Sequence, residues 1–534
     1  VRALARKGKS AMVRLYKGYN RRKVRKAPPP SIHQVRILLL HAYGMGGTIR
    51  TVFNLASYLA REHDVEIVSI LKEAEEPFFP IDPRVKFRFL DDRLNPSSDP
   101  MRAWLSKMPS RLIPKEETAY HRFNLWTDLQ LARYIRSLDT GVLMATRPGL
   151  NLAMAQLALP SVITVGQEHV ALRTQVEPMQ ELIKWRYRRF DALTTLTKAD
   201  LRDYRNTLPK KPKRLVRIPN AVPPMGGGKA DLNAKVVVAV GRMTRLKGFH
   251  RLITAWETVA QAHPDWQLRI YGAGPQEDNL RAQITEAGLE GKVVLPGPTT
   301  DVGADLEKAS IFVLSSRHEG FPMTILEAMA KGLAIVSFNS PHGPKEMITD
   351  EVDGLLVKPR TNANLATAIM RVIEDEDLRR RLAAGALETA RTYDVDAVGA
   401  QWDALLEELL ARRNGTYVKP EPPAPAAGTA QDASGPQDAS GPQDASRNDA
   451  EDAEDARDAR DENDEAGDAD DLLDSDGLHD PEDARDPDDE PGDAARGQAA
   501  DPAERVRGLD RPGDVPGRGA FELRRQTLNG APPA

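Results

Sequence analysis

Glu319-Gly-Phe-Pro-Met-Thr-Ile-Leu-Glu327 sets two carboxylates eight positions apart around a Gly-Phe-Pro turn and the start of a helix. Just upstream, Ile311 to Ser315 (IFVLS) has the short apolar run of a buried strand, and Thr324 to Lys331 (TILEAMAK) has helical spacing. The spacing places Glu319 in a strand-to-helix loop and Glu327 about one turn into the helix, at the edge of an open α/β sheet where ligands bind. Val236-Val-Val-Ala-Val-Gly-Arg242-Met-Thr-Arg-Leu-Lys247-Gly-Phe repeats the design, with Gly241 and Gly248 bracketing two cations. One loop offers acceptors for hydroxyls, and the other a guanidinium fork and a point charge for phosphate. A ligand carrying both a diphosphate and sugar hydroxyls fits that pair, and a nucleotide-sugar is the simplest one.

Outward from these two loops the chain alternates strands and helices twice. In the first half, strands are expected at Val35–Leu40, Val65–Ile70, Val85–Leu90, Val142–Ala145, Val162–Val165 and Ala192–Leu196, with helices from Gly47 to about Glu62 and over 116–137. The turn-rich Pro219-Asn-Ala-Val-Pro-Pro-Met-Gly-Gly-Gly-Lys229 separates the halves. In the second, strands are expected at Lys235–Val240, Gln267–Tyr271, Val293–Leu295, 311–315 and Ala334–Ser337, with helices at 249–262, 276–287, 324–331 and a helical end over 361–412. The fold class is therefore α/β, with two facing doubly wound parallel-sheet domains. The expected boundaries are a basic arm 1–30, a first domain 31–221, a linker 222–233, a second domain 234–412 and an acidic tail 413–534.

The chain's net charge of −4 is a cancellation. Residues 419–534 hold about 32 acids against about 12 bases, while residues 1–30 hold eleven Lys or Arg and no acid. The tail repeats Gln-Asp-Ala-Ser-Gly-Pro from Gln431 and then runs in Asp, Glu, Ala and Arg, with too few branched or aromatic residues to offset its ordering entropy. A disordered tail is expected. Over residues 1–26, apolar side chains at helical spacing among cations fit a helix on an anionic membrane surface or, equally, a solvated basic arm. The absence of cysteine excludes disulfides and thiolate chemistry. No apolar run reaches the roughly 20 residues of a membrane span, and the N-terminal apolar stretches are too short for a signal peptide. A cytoplasmic location, peripheral on the inner face of the plasma membrane, is the expectation, with no nucleic acid among the partners.

Gly44-Met-Gly46-Gly47-Thr48 ahead of a helix suits an anion approaching backbone N–H groups. It is no Walker loop, because no Lys-Ser/Thr follows, and it lacks the third glycine of a nicotinamide fingerprint. His169 follows the strand ending Val165-Gly-Gln-Glu and could equally be a satisfied histidine near the core. His41, His318 and His342 stand at no metal-ligand spacing, and Leu472 at the first ligand position excludes a calcium loop at Asp474-Ser-Asp476-Gly477.

Together the glycine loop, the Gly-Arg242…Lys247-Gly segment, Glu319-x7-Glu327 and Gly343-Pro-Lys-Glu346-Met-Ile…Asp353-Gly-Leu-Leu-Val357 resemble the GT-B glycosyltransferases of family 4, over roughly residues 35–412. The resemblance implies a retaining sugar transferase using a nucleotide-sugar, commonly UDP-linked, as co-substrate, with neither cofactor nor metal. Arg242 and Lys247 would then bind the donor diphosphate, and Glu327 the ribose hydroxyls. Glu319, with the backbone of Gly320, Phe321 and Pro322, would hold the transferred sugar. Gly46 and Gly47 would lie near the phosphate and the acceptor, and His169 would contact the donor sugar near the reacting carbon. A lipid-linked or envelope-polymer glycan is the preferred acceptor, with a small polyol such as an inositol phosphate as the alternative. The rivals are a nucleotide-sugar epimerase on the same fold and a non-catalytic binding protein.

Overall fold

The computed structural model describes residues 28–419 apart from Pro224 and Pro341. The arm at 1–26 and the tail beyond Lys419 lie outside the described residues, and with them the interfacial helix and the disordered tail.

The first sheet has seven parallel strands in the order β3-β2-β1-β4-β5-β6-β7. They are β1 (Gln34–His41), β2 (Asp64–Lys72), β3 (Lys86–Asp92), β4 (Val142–Ala145), β5 (Ile163–Glu168), β6 (Ala192–Thr195) and β7 (Arg214–Arg217). Between them run α1 (Gly47–Leu59), α2 (Pro100–Leu105), α3 (Leu125–Ser137), α4 (Pro148–Leu157), α5 (Glu177–Arg186) and α6 (Lys198–Thr207). The second sheet has six parallel strands in the order β10-β9-β8-β11-β12-β13. These are β8 (Val236–Val240), β9 (Gln267–Tyr271), β10 (Val293–Gly297), β11 (Ile311–Leu314), β12 (Ala334–Phe338) and β13 (Leu355–Val357). Its helices are α7 (Phe249–Ala262), α8 (Glu277–Glu286), α9 (Val302–Leu306), α10 (Met323–Lys331), α11 (Pro344–Met347), α12 (Asn362–Glu374) and α13 (Glu376–Arg391); α14 (Val395–Asn414) is the last helix among the described residues. The central strands are buried along their length because helices cover both faces, which is why they read as unbroken apolar runs.

Sequence and structure differ where periodicity was weak. Helix α4 (PGLNLAMAQL) is buried on nearly every side, so it shows no polar face to betray a helix. Strand β7 (RLVR) sits at the sheet edge with every residue only partly buried. Strand β5 runs on past Val165 to Glu168, because Gln167 and Glu168 are themselves buried. The helical end divides into three, capped by Thr361, Asp375 and Asp394, whose side chains each accept a backbone N–H in the first turn.

The last helix departs from the expected boundary at 412. Helix α14 continues to Asn414, and its Val398, Trp402, Leu405, Leu406 and Leu409 belong to the core built on β1 and α1 of the first domain. Gly399 makes this fit, since a Cβ there would collide with the Tyr58 ring. The Tyr58 hydroxyl donates to Asp403 at 2.6 Å, and Arg413 reaches the buried Asp191 at 2.6 Å. After α13 the chain thus leaves the second sheet, and α14 packs on the first.

Candidate functional site

Both sheets reverse their winding next to their first strand, between β1 and β4 in one and between β8 and β11 in the other. At such a switch point neighbouring loops diverge and leave a crevice outside the carboxyl ends of the strands. Most of the residues singled out in the sequence fall at these two places, and His169 follows the neighbouring strand β5.

In the second domain the loops after β8 and β11 are stitched together. The Ser315 hydroxyl donates to the Lys247 carbonyl at 3.0 Å, and the Arg317 N–H to the Leu246 carbonyl at 2.9 Å. Gly248, at φ +66, lies against the Ser315 carbonyl, where any Cβ would collide. This seam brings the Lys247 ammonium within 2.7 Å of the Glu319 carboxylate, which also accepts from the Ser316 hydroxyl at 2.6 Å. Arg242 is half-buried in the same β8 turn. The Phe321 ring turns into the core beside Tyr393, with centroids 6.1 Å apart, so only its backbone faces the loop. Gly343, at φ +75, packs on Pro322 and lies so close to the Gly320 carbonyl that a Cβ would stand 3.1 Å from it.

Glu327 is more enclosed than a place at the cleft edge implies, at 3 % exposure. Burial raises its pKa, while the Arg50 guanidinium opposes that rise from 2.5 Å away. Arg50 stands in the first turn of α1, in the first domain, and its guanidinium also lies 5.6 Å from the centre of the Phe79 ring. A carboxylate expected to hold hydroxyls is therefore engaged by a cation from across the two domains.

In the first domain, Gly46 is the N-cap of α1 and Gly47 opens the helix, with no side-chain cap. A Cβ on Gly47 would meet nothing within 4 Å, so the helix N-terminus faces open space. Beside it is an open cleft of about 90 Å³ lined by His41 at the end of β1, Thr146 and Arg147 after β4, and His169 after β5. Its floor is fixed by Glu117, which accepts from Arg147 at 2.7 Å and from the Gly149 N–H at 2.6 Å. His169 is half-buried, with Nε2 3.3 Å from the Gln167 side-chain oxygen. Its carbonyl would stand 3.5 Å from a Cβ on Gly320, so the Gly320 turn and His169 meet across the domains. Behind it, buried Glu168 takes hydrogen bonds from Tyr187 at 2.5 Å and Asn151 at 2.8 Å. Burial pushes this carboxyl up to about 8, and its second oxygen has no hydrogen-bond partner.

Sequence reasoning missed Arg50, Glu117 and Arg147, and also the group Asp200, Asp203 and His342, whose ligand-type atoms all lie within 4.8 Å of one another. A charged residue in the first turn after a glycine loop was the available signal for Arg50. Asp200 and Asp203 lie one turn apart on α6, but His342 and the Glu117–Arg147 partners stand 30 residues apart or more, and no spacing connects them.

Two family models match this chain: glycosyltransferase family 4 over residues 45–224 and glycosyl transferases group 1 over residues 227–389. Among curated proteins, an exopolysaccharide phosphotransferase of Streptomyces coelicolor is 36% identical over 71% of this chain, which spans 41% of that protein's length. An undecaprenol-linked N-acetylgalactosaminyltransferase of Campylobacter jejuni is 25% identical, over 67% of this chain and 95% of that protein. The S. aureus TarM structure, a complex with UDP and α-GlcNAc-glycerol, superposes with a TM-score of 0.58 at 16% identity, over 70% of this chain and all of that one. Both glycosyltransferase family models thus find their domain in this chain, and its two parallel sheets have the GT-B fold of the solved structures.

Proposed function

We propose that this protein moves a sugar from a nucleotide-sugar, UDP-linked, to a lipid-linked or cell-envelope glycan, with retention at the anomeric carbon and no metal at the diphosphate. The observation that carries the reading is the Lys247–Glu319 pair at the switch point of the second sheet, with the Gly320 turn against the His169 carbonyl. Breaking the glycosidic C–O bond leaves negative charge on the diphosphate and positive charge at the anomeric carbon. Arg242 and Lys247, held in the β8 turn, stabilise the first as positive charges at the diphosphate. Glu319 and the Gly320–Pro322 backbone orient the sugar between them and His169. Glu327 takes the ribose hydroxyls once Arg50 gives way to the donor. The uncapped α1 N-terminus at Gly46 and Gly47 assists the phosphate, and the cleft beside it receives the acceptor.

The lipid-linked acceptor is supported by the Campylobacter relative, whose name specifies a diphospho-undecaprenol substrate, and by the basic composition of residues 1–26. That composition also supports action at the inner face of the plasma membrane. Among the described residues no helix is long and apolar enough to cross a membrane.

The test is a panel of nucleotide-sugars incubated with purified full-length protein, first alone and then with undecaprenyl-diphosphate-linked glycans and inositol phosphates. Release of nucleoside diphosphate with the sugar found on a lipid-linked glycan supports the proposal. Transfer to inositol phosphate moves the acceptor to the small-polyol alternative. Release of nucleoside monophosphate means sugar-phosphate transfer, an epimer formed without acceptor means an epimerase, and tight binding without turnover means a binding protein; each of the three overturns the reading.

A further inference from the structure

We propose that Asp200, Asp203 and His342 form a divalent-cation site at the seam between the two α/β domains, suited to Zn²⁺. Asp200 and Asp203 project from α6 of the first domain, and His342 comes from the loop between β12 and α11 of the second. His342 Nε2 stands 3.9 Å from Asp200 Oδ1 and 3.6 Å from Asp203 Oδ2. A tetrahedral ion with ligands about 2.0–2.1 Å away holds its ligand atoms about 3.3–3.4 Å apart, so small side-chain adjustments close the shell.

The remaining oxygens of both carboxylates are already held as outer partners of a metal site are. The Thr197 hydroxyl donates to Asp200 Oδ2 at 2.6 Å, and Arg173 donates to Asp203 Oδ1 at 2.8 Å. The oxygens left over, Asp200 Oδ1 and Asp203 Oδ2, are buried without a hydrogen-bond partner and aim at the imidazole, whose Nε2 also has none. Both aspartates are at most 6 % exposed. Two carboxylates buried at that depth demand positive charge. Glu346 adds a third carboxylate nearby, bonded to the Lys198 and Ala199 N–H groups at 2.6 and 2.7 Å. Against these three stand Arg173 and, 4.0 Å from Glu346, Arg217. A doubly charged ion would supply that charge and sit between the three ligand atoms. One imidazole with two carboxylates favours Zn²⁺ over Mg²⁺ or Ca²⁺, which prefer all-oxygen shells.

The ion would tie α6 to the loop that carries Gly343, and Gly343 packs on the Gly320–Pro322 turn. Its role is to set how the two domains close, separate from any charge supplied at a diphosphate.

The experiment strips untagged full-length protein with EDTA and dialyses it against buffered Zn²⁺, with bound metal counted by mass spectrometry. Wild type, Asp203→Asn and His342→Gln are compared. Weak binding by the acidic residues beyond 419 is common to all three and cancels. The expected result is one Zn²⁺ more in wild type than in either variant, a rise in wild-type Tm on adding Zn²⁺ that neither variant shows, and a visible Co²⁺ band lost in His342→Gln. Equal metal retention in all three proteins overturns the proposal. So does a wild type that holds no Zn²⁺ while only His342→Gln lowers stability in mildly acidic buffer, since that marks a plain imidazolium ion pair.

Discussion

The two switch-point edges share a topology and differ in where their chemistry sits along the chain. The second-domain edge is charged and local: Arg242 and Lys247 are five positions apart, Glu319 and Glu327 eight. The first-domain edge is a cleft assembled from the ends of β1, β4 and β5, with one helix N-terminus and a floor fixed by the Glu117–Arg147 pair. A fixed ligand such as a diphosphate can be met by two short loops. A variable acceptor needs a volume, and a volume takes many strands to enclose.

The edges can be pulled apart experimentally, beginning with the largest expected effect. Glu168 anchors the first-domain edge as a neutral carboxyl, pushed up to about 8 by burial. Its folded pKa lies above its unfolded one, so its contribution is complete below about pH 4.5. It is lost progressively as pH rises toward 8, by an amount on the order of 4 kcal/mol. Urea midpoints from pH 4.5 to 8 should fall less steeply in Glu168→Gln than in wild type, and parallel curves would refute the buried neutral carboxyl. At the second-domain edge, Arg242→Ala or Lys247→Ala should remove at least about 3 kcal/mol of transition-state stabilisation, read mainly in kcat. Wild-type turnover in both would remove the diphosphate assignment.

Arg50 links the edges. Arg50→Ala should lower the stability of nucleotide-free protein by about 2–3 kcal/mol, because Glu327 is left buried without its cation. Glu327→Gln in the same background should restore much of it, as thermal melts of the single and double variants will show. The smallest expected effect separates the paired acids. Glu327→Ala should weaken nucleoside diphosphate binding by about 1.5–2 kcal/mol, whereas Glu319→Ala should leave that binding intact and impair transfer. Calorimetric titration with the bare nucleotide distinguishes the two, and equal loss in both would merge their roles.

The same contrast explains what could be read beforehand. Both sheets announce themselves because parallel strands covered on both faces become apolar runs, and Gln267–Tyr271 and Phe249–Ala262 fall where their patterns put them. The charged edge is legible because its residues are sequence neighbours. Arg50, Arg147 and the Asp200–Asp203–His342 group are not, because tertiary folding alone brings their partners together. Glu327 was placed correctly on its helix, but the depth of its burial depends on Arg50, 277 positions away. The destination of α14 was equally hidden, since its apolar residues mark a buried face without saying against which domain.

That destination has a mechanical corollary. The polypeptide passes between the domains twice, outward through residues 218–235 and back through residues 392–394, and the two passages lie side by side. The Val222 N–H donates to the Tyr393 carbonyl at 2.8 Å. On the far side, the Lys331 ammonium grips the Gly226 and Gly228 carbonyls, so the outward passage is clamped where it enters the second domain. Such a double strap resists sliding and twisting and leaves swinging as the easy movement, about an axis through the paired crossings. A door hung this way would open and shut along one arc, which would bring the Gly320 turn back to the same place before His169.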